Sequence, residues 1–157
     1  FAAPALIECG STVLSAHLFL FYFAIKSGST PPVALVAVVA ASIAEANWFR
    51  TAMTAFIHSL PGFAVAFMFL YQPALLFDGT STEIIFAIFK ATLAVLAITS
   101  GIQGWFLSWL SLGERVLLIF SSIAVFNELL IFNTTGFILI TAIFFFRYLY
   151  RKVKINK

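Results

Sequence analysis

Apolar residues fill this chain in long runs, separated at a few places by short polar clusters. Cys9–Ile25 is apolar and closes at Lys26-Ser-Gly-Ser-Thr-Pro-Pro32; Val33–Ala44 is apolar again and ends before Glu45 and Arg50. Thr51–Phe77 leads to the polar loop Asp78-Gly-Thr-Ser-Thr-Glu83, and Glu83–Leu107, Val116–Phe132 and Thr135–Tyr150 complete the pattern. Runs at or beyond the roughly 18 residues needed to cross hydrocarbon predict membrane helices. The expected fold is all-α, a polytopic transmembrane protein with one discontinuous helix and about four further spans.

Composition strengthens this reading, because 62% of the residues are apolar and only 10% charged, with a mean hydropathy of +1.08. Soluble domains run at about 45–50% apolar and about 25% charged, so this chain lacks the polar groups to cover a water-facing surface. A single cysteine, Cys9, rules out an internal disulfide framework and a clustered cysteine metal site. The chain opens in mid-segment at Phe1 without a methionine and reads as the C-terminal piece of a longer protein.

Charge fixes the expected orientation. Arg147, Arg151, Lys152, Lys154 and Lys157 form a basic tail beside the last apolar run. Such a cluster marks the cytoplasmic side rather than a nucleic-acid site. Counting crossings back from it places Arg50 and Arg115 inside and the loop Asp78–Glu83 outside, leaving no Lys or Arg in an external loop. Trp48, Trp105 and Trp109 then fall near the inner interface, where indole rings favour the headgroup level. Lys90 and Glu128 interrupt apolar runs; each lies close enough to a helix end to reach the interface along its own stem.

The most informative stretch is the first. An unbroken helix from residue 10 to 45 would be roughly 50 Å long, against about 30 Å of hydrocarbon, so it must be interrupted. Pro31 and Pro32 supply no N–H groups, and Gly28 frees the backbone. Two half-helices are expected to meet near mid-membrane and make one crossing between them. Thr30 is expected to be the N-cap of the second and Pro31 its first residue. Freed carbonyls of residues 26 to 29, with the hydroxyls of Ser27, Ser29 and Thr30, form a candidate oxygen site for Na⁺. Lys26 is a cation that can meet an anionic solute or repel a second cation, and His17 is a weaker candidate on the same half-helix. A proline kink that serves packing alone accounts for the same residues.

The run Ala16-His-Leu-Phe-Leu-Phe-Tyr-Phe-Ala24, the turn Ser29-Thr-Pro-Pro-Val-Ala-Leu35 and the run Phe67-Met-Phe-Leu-Tyr-Gln-Pro-Ala-Leu-Leu76 resemble, in that order, the last part of the large permease subunit of TRAP-type transporters. More narrowly they resemble the fused form, in which small and large membrane subunits are one polypeptide working with a TAXI-type periplasmic binding protein. Gly104-Trp-Phe-Leu and Glu114-Arg115-Val-Leu-Leu look like its additional C-terminal helices. The resemblance implies a sodium-coupled symporter of the bacterial inner membrane that imports organic acids or related anions, with no cofactor besides the coupling ion. It implies transport-domain sequence over 1–77 and accessory helices with a cytoplasmic basic tail over 78–157. By the same resemblance Gly28, Ser29, Thr30 and Pro31 are Na⁺ candidates, and Lys26, Ser27 and His17 substrate candidates.

Two departures qualify the match. Lys26 stands where the family has a hydrophobic or small polar residue, and the first repeat and both hairpins of such a transporter lie outside these residues. Other functions fit less well. An intramembrane enzyme built on His17, His58, Glu45 or Glu128 lacks metal-ligand spacing, a nucleophile elbow or a phosphate loop. A membrane scaffold has no use for unwound backbone at mid-membrane.

Overall fold

The computed structural model describes residues 1–125 and 130–155, with the backbone alone for residues 130–132, 151 and 153–155. Glu128 lies outside the described residues. The chain forms two compact units, Phe1–Ile84 and Ile85–Lys157.

In the first unit, α1 (Ala2–Glu8) precedes α2 (Val13–Ser27), α3 (Leu35–Ile43) and α4 (Trp48–Tyr71), and a 3-10 turn (Pro73–Leu76) follows. Capping residues set the starts. The Thr12 hydroxyl accepts from the amide of Ser15 at 3.1 Å, and the Asn47 side chain accepts from the amide of Arg50 at 3.1 Å. Each satisfies one of the amides that a helix N-terminus leaves unpaired. Thr12 also places the start of α2 three residues beyond Gly10, so the apolar run that begins at Cys9 is not helical throughout.

The break is present: α2 ends at Ser27 and α3 begins at Leu35. Both half-helices pack antiparallel on α4. Phe19 meets Phe67 edge-on at 5.2 Å, Phe23 meets Phe63 at 5.1 Å, and further along Ala34 and Ala37 pack with Ala52 in a buried cluster. As the path advances from residue 19 to 37, its partners on α4 recede from 67 to 52. The two short helices therefore do together what one long helix does alone. Alanine at the α3–α4 contact lets the backbones approach closely.

The second unit holds α5 (Ser81–Gln103, its first turn in the first unit), a hairpin of β1 (Trp105–Phe106) and β2 (Ser108–Trp109), α6 (Leu112–Ala124) and α7 (Leu130–Ile155). α6 starts on a reciprocal cap: Ser111 and Glu114 each bond the other's backbone amide. α6 and α7 are antiparallel. Arg147 of α7 grips Glu114 at the start of α6, while Gly136 of α7 lies against the backbone of Ser121 and Val125 at its end. Ala97, Leu110, Leu118, Val125 and Ile140 form the buried core.

Among the described residues two helices, α4 and α5, are long and apolar enough to cross a membrane. Their most apolar stretches are only 17% and 28% buried, whereas a soluble core helix would be mostly buried. The all-helical expectation holds apart from the short hairpin Trp105–Trp109, but the number of such helices is below the broken helix plus about four spans anticipated. The half-helices are individually too short. The apolar run Val116–Phe132 is not one helix, since α6 stops at Ala124 and α7 begins at Leu130. The run Thr51–Phe77 is also shorter than its apolar character implies, because Pro73 brings the chain off α4 after Tyr71.

Candidate functional site

The site is the segment between α2 and α3. Helical bonding fails at Ser27 because Pro31 and Pro32 have no amide hydrogens to return to Ser27 and Gly28. The chain responds by closing a compact turn. The amides of Ser29 and Thr30 donate to the carbonyls of Lys26 and Ser27 at 3.0 and 3.2 Å, that of Ala34 to Thr30 at 3.0 Å, and that of Val36 reaches back to Gly28 at 3.0 Å. The Pro31–Pro32 peptide is cis.

This geometry corrects the expected cap. The second half-helix is capped by Ala34, in the left-handed region at φ 37° and ψ 40°, and not by Thr30; Pro31 is not its first residue. A residue preceding proline avoids helical backbone. With two prolines in succession, Thr30 and Pro31 are both so restricted, and the helix waits four residues. Thr30 instead donates its hydroxyl to the Lys26 carbonyl at 2.7 Å.

The oxygen inventory changes accordingly. The Lys26 carbonyl accepts from the amide of Ser29 and from the hydroxyls of Ser29 at 3.0 Å and Thr30, so the carbonyls of 26, 27 and 28 are engaged rather than free. The bonds that close the turn do not reach the carbonyls of Ser29 and Pro31. Ser27 donates its hydroxyl to Ala24 at 2.6 Å. A donating hydroxyl keeps lone pairs that can still face a cation. Among the described residues no group of three or more His, Cys, Asp or Glu side chains is gathered to hold a metal, which leaves backbone and hydroxyl oxygens as the ligands available at the turn.

The substrate candidates separate. Lys26 turns toward α4, over the Tyr22 ring at 5.6 Å and so close to Gly62 that a Cβ there would stand 2.8 Å from its Nζ. Among the described residues its ammonium has no carboxylate partner; the one ion pair is Arg147 with Glu114. His17 bonds the Val13 carbonyl of its own helix through Nδ1 at 2.7 Å and is exposed, away from the turn. Glu45 and His58 are exposed as well and on other elements.

One feature of the site was not foreseen. A cavity of about 550 Å³ opens beside the turn, bounded by Ser27, Thr30, Pro31 and Pro32 on one side and by Phe56, Leu60, Phe63 and Phe67 of α4 on the other, with Phe23 between. Its wall was written in the spacing: 56, 60, 63 and 67 recur at helical period and lie on one face of α4. The cavity lies against the middle of α4, where Pro61 and Gly62 also sit. Compared with family models, with characterised proteins and with solved structures, the chain finds no match.

Proposed function

We propose that this chain belongs to the permease of a TRAP-type, sodium-coupled symporter that imports organic acids or related anions from a TAXI-type periplasmic binding protein. In this reading the turn between α2 and α3 is its ion-holding element. The observation that carries the reading is the placement of the break. Two half-helices lie end to end along a helix long enough to cross the bilayer, and their junction meets its middle. Unwound backbone at that depth persists only where protein, water or an ion supplies partners.

Of the four Na⁺ candidates, Ser29 and Pro31 offer carbonyls left open by the turn, and Ser29 and Thr30 offer hydroxyl lone pairs. Gly28 keeps right-handed helical backbone at φ −63° and ψ −26°, not the freed conformation expected of it, and contributes through its carbonyl, which accepts from the amide of Val36 and ties the two half-helices together. Lys26 supplies the nearby positive charge for an anionic solute. The chain lies in the bacterial inner membrane with the basic tail in the cytoplasm.

The internal bonding of the carbonyls of Lys26, Ser27, Gly28 and Thr30 favours a second reading, in which the turn serves packing alone. The two part at sodium. In the complete permease reconstituted with its binding protein, Pro31→Ala and Thr30→Ala are expected to weaken sodium-dependent uptake and the binding of isotope-labelled Na⁺. Unchanged sodium dependence in both variants would leave only the packing role.

A further inference from the structure

The hairpin between α5 and α6 has no part in the broken-helix site. α5 has 23 residues, about 34 Å of helix against a hydrocarbon core of about 30 Å. Where α5 crosses, the hairpin one residue past its end stands at the bilayer boundary. In that hairpin Trp105 pairs directly with Trp109, so both indoles rise from the same face of the ribbon. They are 51% and 79% exposed. The opposite face is packed: Phe106 stacks on Phe144 of α7 at 3.9 Å.

The hairpin is also fastened. The Arg115 guanidinium donates to the carbonyls of Gly101 at 2.9 Å and Ile102 at 2.8 Å, the last turn of α5, and lies against Gly104. Arg147 donates to the Ser108 hydroxyl at 3.2 Å. Two large indoles held outward by this framework are poorly served by water, and their N–H groups by hydrocarbon; the headgroup layer suits both parts. The end of α7 that reaches this level carries Arg147, committed to Glu114, and one turn later Arg151 and Lys152, the latter exposed. The exposed Lys152, within the run Arg151-Lys152-Val153-Lys154, puts positive charge at that end of α7 and matches anionic headgroups.

We propose that the Trp105–Trp109 hairpin is an interfacial anchor that seats the chain in the headgroup layer of an anionic bilayer, with Arg115 as its positioning residue. This requires that α5 cross the membrane and does not depend on transport. The full chain carrying Trp48→Phe is reconstituted in phosphatidylcholine vesicles with and without phosphatidylglycerol, so that only the two hairpin indoles emit. A quencher attached near the lipid glycerol is expected to dim them several-fold more than one at the chain terminus or aqueous iodide, and more so with phosphatidylglycerol present. Adding Trp105→Phe or Trp109→Phe separately reads each position, so one poorly folded variant leaves the other informative. Arg115→Gln should raise iodide access while helical content by circular dichroism is unchanged. Dominant iodide quenching in the parent would put the hairpin in water. Dominant chain-end quenching would put it in hydrocarbon. Quenching that falls as protein-to-lipid ratio rises would assign the face to a second copy, and indifference to phosphatidylglycerol would refute the anionic partner; any of these overturns the proposal.

Discussion

Thr30 holds the turn after α2 by donating its hydroxyl to the Lys26 carbonyl at 2.7 Å, in place of the N-cap role expected of it. Replacing it with valine keeps the shape and removes the bond, worth about 1 kcal/mol, or roughly a five-fold change in an equilibrium constant. In the transport reading, Thr30→Val therefore raises the sodium concentration for half-maximal uptake several-fold, as measured by sodium titration of the reconstituted transporter. An unaltered half-saturation would mean that the hydroxyl neither shapes nor joins the ion site. Glu114 offers a residue-scale test of stability. The hydrogen bonds from Arg147, then those from Ser111, hold its carboxyl down at about 2 from an ordinary 4.5. Because the folded value is depressed, the stabilisation is fully present above 4.5 and is lost as pH falls toward 2. Thermal unfolding of the detergent-solubilised chain should lose stability across that interval, and Glu114→Gln should flatten the loss while lowering stability at neutral pH by about 2 kcal/mol.

At the scale of elements, the α6–α7 contact depends on a missing side chain. A Cβ on Gly136 would stand 2.7 Å from the Ser121 carbonyl oxygen and 3.0 Å from the Val125 amide, both backbone atoms that cannot swing aside. Gly136→Ala is therefore expected to cost about 1–3 kcal/mol. Gly113 near the start of α6 has open space around it, and Gly113→Ala is expected to stabilise by about 0.5 kcal/mol through backbone entropy. Thermal unfolding of the two variants side by side should show opposite shifts; shifts of the same sign would refute the packing account. These elements also show what was legible beforehand. The break was, since two successive prolines withhold two amide hydrogens from the preceding turn, whereas the single Pro61 sits inside α4 without ending it. Its exit was not: where α3 starts depends on the amides of Ala34 and Val36 closing on Thr30 and Gly28, pairings that a residue pattern does not specify. The hairpin hid inside an apolar run because Trp, Phe and Leu suit membrane helix and strand alike. Ser111 with Glu114 three residues later announced a new helix start, and taken with Gly104 it marked the interruption between.

For the whole molecule, the decisive question is on which side of a membrane each end of α5 lies. α5 is apolar, only 28% buried over its most apolar stretch, and bounded by two polar devices. At its start Glu83 accepts from the amide of Thr80 at 2.8 Å, and at its end Arg115 takes up the last carbonyls. Along the way Lys90 extends back toward the start, its ammonium 5.3 Å from the Phe86 ring, the direction in which a helical side chain leans and the shorter way out of hydrocarbon. The orientation expected from the basic tail would put residue 82 outside the cell and residue 108 inside. Cysteines introduced at Thr82 and Ser108, one at a time after replacing the exposed Cys9 with serine, test this with a membrane-impermeant maleimide. In intact cells stripped of their outer envelope, the Thr82→Cys variant should label at once and Ser108→Cys only after the membrane is opened. The reverse order would invert the orientation and place the proposed anchor on the outer leaflet. Equal labelling of both in sealed cells would mean that α5 does not cross, and with it the hairpin would lose its position at a bilayer boundary.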